Sequence, residues 1–334
     1  MNAKRWAALG IAAGIFVVSL MVKLAFSLAF DDFASLEKSL FALSEEEITE
    51  RTIEPGASFD RIAIIEVNGV IQDVGTSSLF SQVGYHHQTT LAMLEQAAED
   101  ETIKGIILRV NSPGGGVVES AEIHKRVKEL VETEKPVYVS MGSMAASGGY
   151  YISAPATKIF ANPTTMTGSL GVIMETINYS QLAENIGIDF ETIKSGPYKD
   201  IGSGTREMTK EERQILQSIV NNAYNDFVGV IADGRSMSKE QVKKIADGRI
   251  YDGRQAKDIG LVDELGDLDD AILALKKDLG DEDLGVIQYE PSFGFGSLFQ
   301  MTAQKMFRSE FDLFGLHQLI STSNTPRVMY LYTE

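Results

Sequence analysis

The chain of 334 residues contains no cysteine, which excludes disulfide bonds, thiolate nucleophiles and cysteine-ligated zinc sites. Histidine is nearly as scarce: His86, His87, His124 and His317 are the four. None of them has metal-ligand spacing, so no metal site is expected. Positive charge is short as well. Lys and Arg number 30 against 47 Asp and Glu, for a formal net charge of −17 and a pI of about 4.7. This balance argues against binding nucleic acid or an anionic membrane surface through a basic face. It reads as a solubilising surface, with attraction of basic substrates as the alternative. No long internal repeat and no low-complexity tract is present.

The long apolar run lies at the N-terminus. Trp6 to Val22 is uncharged and mostly apolar, is interrupted by Lys23, and resumes through Phe30. At about 1.5 Å per residue the uncharged part spans roughly 25 Å, and a snorkelling Lys23 with the next turns completes a bilayer crossing. Lys4 and Arg5 precede the run, whereas Asp31, Asp32 and Glu45 to Glu47 follow it. The expected topology is therefore single-pass in the cell membrane: residues 1–5 cytoplasmic, 6–30 a transmembrane anchor, and the body outside. A cleaved signal peptide ending at Ser27-Leu28-Ala29 is the alternative, and either reading exports the body. Residues 31–58 read as a polar juxtamembrane linker or helix, 59–290 as the folded domain, and 291–334 as a C-terminal extension.

Within the body, apolar runs alternate with helical spacing. Strands are predicted at 61–67, 105–110, 137–141, 158–161, 190–193 and 286–289. Helices are predicted at 89–98, 121–131, 179–185, 209–232, 238–245 and 268–277. Alternation of this kind implies an α/β fold of repeated βαβ units, with helices covering a parallel sheet. Thr209-Lys-Glu-Glu212 has the form of a capping box.

Two glycine-rich segments sit where strands give way to helices. Asn111-Ser-Pro-Gly-Gly-Gly116 can turn backbone N–H groups toward an incoming oxygen, as an oxyanion hole or anion nest, or it is simply a tight turn. It is not a Walker loop, because no Gly-Lys-Ser/Thr follows. In Gly142-Ser-Met-Ala-Ala-Ser-Gly-Gly-Tyr-Tyr151 the candidate nucleophile is Ser147, with the N–H of Gly148 behind it as an oxyanion donor. The pattern departs from the hydrolase elbow Gly-x-Ser-x-Gly, which also needs a later histidine. Only His317, in the tail, comes later. A lysine is the other available base once it is neutral. Ile193-Lys-Ser-Gly-Pro-Tyr-Lys-Asp-Ile-Gly202 offers Lys194 and Lys199, but the segment alone does not distinguish a base from two solvated loop lysines.

These segments, with Thr167-Gly-Ser-Leu-Gly-Val172, Gly248-Arg-Ile-Tyr-Asp-Gly-Arg-Gln-Ala256 and Gly260-Leu-Val-Asp-Glu-Leu-Gly266, resemble the signal peptide peptidase A family in its short Gram-positive form. The resemblance covers nearly the whole chain. It implies a ClpP/crotonase-like fold and a membrane-anchored serine endopeptidase that degrades remnant signal peptides. It also implies Ser147 as nucleophile, Lys199 as general base, Gly114 and Gly148 as oxyanion donors, and Ser169 as the residue holding the lysine amine. No cofactor is implied, and the expected partners are peptides, the membrane and further copies of the chain in a ring or dome. Thr325 to Glu334 is itself extended and apolar, like a peptide substrate, and is expected either to restrain activity from an active-site groove or to serve as an interface strand. The competing classes are a crotonase-like enzyme acting on acyl-CoA and a non-catalytic membrane scaffold.

Overall fold

The computed structural model describes residues 48–73, 85–291 and 328–332. The anchor predicted at 6–30 lies outside them. Among the described residues no helix is long and apolar enough to cross a membrane.

The mixed α/β architecture rests on a nine-stranded sheet whose central run is β10-β2-β3-β5-β6, all parallel neighbours. These strands are β2 (Arg61–Asn68), β3 (Ile103–Ser112), β5 (Val137–Ala146), β6 (Lys158–Ala161) and β10 (Gly285–Pro291). Their near-continuous apolar runs reflect burial on both faces. Because side chains alternate across a strand, Ala63, Ile65 and Val67 of β2 face one cluster, with Ile123 and Val127 of helix α2 (Val117–Glu132). Ile62 and Ile64 face the other, with Ile272 and Leu275 of helix α8 (Leu268–Leu279).

Two features differ from the residue pattern. Strand β1 (Ile48–Glu54) pairs antiparallel with β10 and forms a sheet edge, so residues 48–54, within the span read as linker, are part of the sheet. Its Thr, Glu and Arg side chains resemble a linker because an edge strand keeps polar groups toward water. Conversely, 190–193 is not a strand: Phe190 and Ile193 are exposed and no ladder partner reaches them. Apolar alternation has no strand to make without a neighbour to pair with.

Helix α5 (Lys210–Gly234) starts with the predicted capping box, in which Thr209 Oγ1 accepts from the Glu212 N–H at 3.2 Å and Glu212 accepts from the Thr209 N–H at 2.9 Å. Its C-terminal half buries Phe227, Val228 and Ile231 in the core.

Candidate active site

The site forms where β3 and β5 end side by side, at the carboxyl edge of the parallel sheet, where such folds place ligands. After β3 the chain makes the short strand β4 (Gly114–Gly116) and then α2. After β5 it makes one tight turn at Ser147 and enters α3 (Gly148–Ser153). Two helix N-termini, with their positive dipole ends, therefore converge on the same point.

Ser147 has φ +52° and ψ −115°, a backbone conformation that non-glycine residues rarely adopt and that costs about 1–3 kcal/mol. The surroundings hold it there. Its N–H donates to the Gly168 carbonyl at 2.8 Å, and its own carbonyl accepts from the Tyr151 N–H at 2.9 Å. The side chain is 1% exposed, and Oγ has no hydrogen-bond partner. A buried hydroxyl left unpaired on a strained turn is costly structurally, and its reactive atom is left uncommitted.

Gly114 and Gly148 are brought together. Gly114 has φ +101°, and a methyl group there would lie 2.6 Å from the Gly148 nitrogen. A methyl at Gly148 would lie 3.1 Å from the Gly114 α-carbon and 2.7 Å from Ser120 Oγ. The Gly114 N–H donates to Ser112 Oγ at 3.0 Å, so stabilising an oxyanion requires it to share or release that bond. Two serines missed by the residue pattern thus line the site. Ser112 engages the glycine loop, and Ser120 of α2 presents a second buried, unpartnered hydroxyl beside Gly148. Their only sequence signal is closeness to Gly114-Gly-Gly116. Ser169 follows Gly168, is buried, has φ +51°, and donates its N–H to Arg249 O at 2.8 Å.

The two loop lysines separate. Lys194 Nζ lies 2.6 Å from Asp200 Oδ1 and is held as an ion pair. Lys199 is exposed, on a loop tied by its N–H to Gly196 O at 3.2 Å. Within one chain no hydrogen bond joins it to Ser147. The histidines are engaged elsewhere. His87 joins Tyr85 OH and Glu122. His124 packs edge-on against Tyr151, and burial, aided by Lys128, pushes its imidazole down to about 4. His317 lies outside the described residues.

The C-terminal strand β11 (Met329–Leu331) runs antiparallel to β4, with Leu331 opposite Gly114. On its other side Met329 and Ile173 exchange two 3.0 Å hydrogen bonds. Tyr330 is fully buried, stacks on Tyr151 with centroids 4.8 Å apart, and donates to Ala223 O at 3.0 Å. Cavities flank this strand. One of about 460 Å³ is lined by Ser169, Tyr224, Asp247 and Leu331. An apolar one of about 480 Å³ is lined by Val117, Val118, Ile219 and Met329.

Residues 129–281 match the model of peptidase family S49. The chain is 42% identical over 344 aligned residues to the "Putative signal peptide peptidase SppA" of Enterococcus faecium, covering 99% of each. It is 39% identical to Protease 4 of Salmonella typhi over 72% of this chain and 40% of that protein. To the chloroplastic serine protease SPPA of Arabidopsis thaliana it is 34% identical over 65% of this chain and 32% of that one. The near-full-length similarity, together with a buried, unpartnered serine on a strained strand-to-helix turn, leads to one conclusion: the chain belongs to peptidase family S49 and is a serine peptidase.

Proposed function

We propose that this chain is a membrane-anchored, ClpP/crotonase-like endopeptidase that degrades remnant signal peptides with a Ser147–Lys199 dyad. The observation that carries the chemistry is the buried Ser147 hydroxyl, unpaired and beside Gly114 and Gly148. Neutral Lys199 takes the Ser147 proton as Oγ attacks the peptide carbonyl, and the N–H groups of Gly148 and Gly114 stabilise the oxyanion. The lysinium then protonates the leaving amine, and the neutral lysine activates water to hydrolyse the acyl-enzyme. Ser169 orients the amine. The Asp200 pairing of Lys194 supports its exclusion as base. The substrate class rests on the name of the Enterococcus faecium relative. Residues 6–30 are proposed as the single-pass anchor, 1–5 as cytoplasmic, 31–47 as the link to the body, and the catalytic domain as extracellular. A serine-directed phosphonate probe is expected to label Ser147 in the full chain, and Lys199→Ala should abolish labelling. Labelling at wild-type rate in that variant would sink the dyad.

The loop bearing Lys199 belongs to an exposed stretch with Ile177, Leu182, Ile186, Ile193 and Tyr198 at the surface. Apolar exposure on this scale favours contact with a second copy, so we propose a homo-oligomer whose assembly closes the dyad. The tail is proposed to restrain activity, because β11 occupies the β4 edge that an extended substrate would pair with. Truncation after Asn324 is expected to raise turnover of a short peptide. Melting is followed alongside, since losing buried Tyr330 costs about 3–5 kcal/mol. Unchanged turnover in an intact oligomer would count against restraint.

A further inference from the structure

Loop lysines near carboxylates ordinarily end as solvated ion pairs, and Lys199 is followed directly by Asp200. Yet the Asp200 carboxylate is turned to other partners. Arg206 Nε donates to Asp200 Oδ2 at 2.8 Å and Nη2 to Oδ1 at 2.7 Å, a bidentate fork. The same guanidinium donates through Nη1 to Glu212 Oε2 at 2.8 Å and through Nη2 to the second oxygen. Lys194 completes the group on Asp200. Glu212 is 1% exposed, lies in the first turn of α5, and also accepts from the Thr209 N–H. The Arg206 hydrogen bonds, helped by the Thr209 amide, hold its carboxyl down at about 2. Asp200 is likewise held well below the usual carboxylate range, by Arg206 first and Lys194 second.

Two cations and two carboxylates thus form a closed, neutral cluster. It fastens the segment from Lys194 to Arg206 onto α5, which is itself seated in the core by Phe227 and Ile231. Among the described residues, the charged groups bonded to Asp200 are Lys194 and Arg206, and Glu212 is bonded to Arg206. None of these bonds involves the Lys199 amine.

We propose that Arg206 is a positioning residue for catalysis: by clamping Asp200 to Glu212 it orients the loop that carries Lys199 and withholds the adjacent carboxylate from the lysine amine. The proposal rests on the reading of Lys199 as general base. A base must be neutral to accept the serine proton, and a carboxylate next door that keeps only Lys194 as its partner favours the ammonium form. Arg206 therefore acts on the protonation state of the site without touching substrate. Lysine cannot replace it, because a single ammonium does not bridge two carboxylates with a planar fork.

The test is the pH dependence of kcat and KM for the assembled, full-length enzyme on an unstructured peptide. Arg206→Ala is expected to lower kcat about tenfold or more with KM nearly unchanged, and to move the acid limb of the kcat profile upward by about half to one unit. The double variant Arg206→Ala with Asp200→Asn should return that limb to its original place, because the competing carboxylate is gone. Arg206→Lys should restore folding but only part of kcat. An unmoved limb in Arg206→Ala, or one that the second substitution fails to return, would overturn the clamp and leave a merely structural role.

Glu212 loses its charged partner in Arg206→Ala and is left as a buried unpaired carboxylate, at a cost to folding. Asp200→Asn keeps the Arg206–Glu212 pair and serves instead: kcat is expected to fall several-fold with no upward shift of the limb. Wild-type kcat in Asp200→Asn would overturn the proposal. Lys199→Ala separates the two levels of inference. Full activity there defeats the base assignment itself, whereas an inactive Lys199→Ala beside an unmoved Arg206→Ala profile defeats only the clamp.

Discussion

Ser147→Ala and Lys199→Ala are each expected to abolish peptide hydrolysis, with kcat falling by roughly 10⁴-fold or more for the serine and about 10²–10⁴-fold for the lysine. The serine variant removes the proposed attacking atom and leaves the strained turn as it is, so the fold should tolerate it well. Alanine at 147 inherits the same positive φ and loses only a hydroxyl that has no partner. Stability should therefore change little while activity disappears, a combination that distinguishes a nucleophile from a structural serine. Lys194→Ala is the paired control. Its ammonium is committed to Asp200, and Arg206 still holds that carboxylate when it is gone, so turnover should drop by no more than a few-fold.

The exposure of Lys199 sharpens this experiment. If assembly closes the dyad between copies, the two inactive variants complement each other when co-expressed. Random mixing then places an intact Ser147 beside an intact Lys199 in about a quarter of the sites. Co-assembled variants that remain inactive would locate both groups within one chain. Peptide cleavage read by mass spectrometry measures both outcomes and gives the cleavage positions as well.

Gly114→Ala is expected to lower kcat by about 10²-fold or more, because it strikes the proposed oxyanion loop in two ways. The backbone at φ +101° disfavours any side chain. The added methyl crowds the nitrogen of Gly148, the other proposed oxyanion donor; its collision with the Tyr330 carbonyl loosens β11 and acts in the opposite sense, by freeing the β4 edge. KM should change less than kcat, since the N–H groups bind the oxyanion more strongly than the ground-state carbonyl. A variant that keeps its fold by circular dichroism and cleaves at the wild-type rate would remove Gly114 from the oxyanion hole.

Much of this protein is legible in its residues. The apolar runs of β2, β3 and β5 and the helical spacing between them announce a parallel sheet, because burial on two faces and the strand-to-helix switch both leave local periodicities. The Thr209 capping box is read correctly for the same reason: its partners are three residues apart. The glycine segments mark where the sheet delivers its chemistry, and the lack of cysteine and of a usable histidine directs attention to a lysine.

What the residues leave open depends on groups distant along the chain. Strand β1 is polar because it is an edge, and its partner β10 lies more than two hundred residues away, so nothing local distinguishes it from a linker. Phe190 to Ile193 carries apolar residues but finds no ladder. Tyr330 stacks on Tyr151 through a pairing that no local pattern encodes. Local sequence determined the elements and the turn that strains Ser147, since backbone sterics and side-chain periodicity act over a few residues. Tertiary structure alone decided that Gly114 meets Gly148 and that Met329 to Leu331 pairs with Gly114 to Gly116. Those outcomes depend on which distant surfaces become buried together, where an unpaired charge or backbone group is costly and each must find a partner in space.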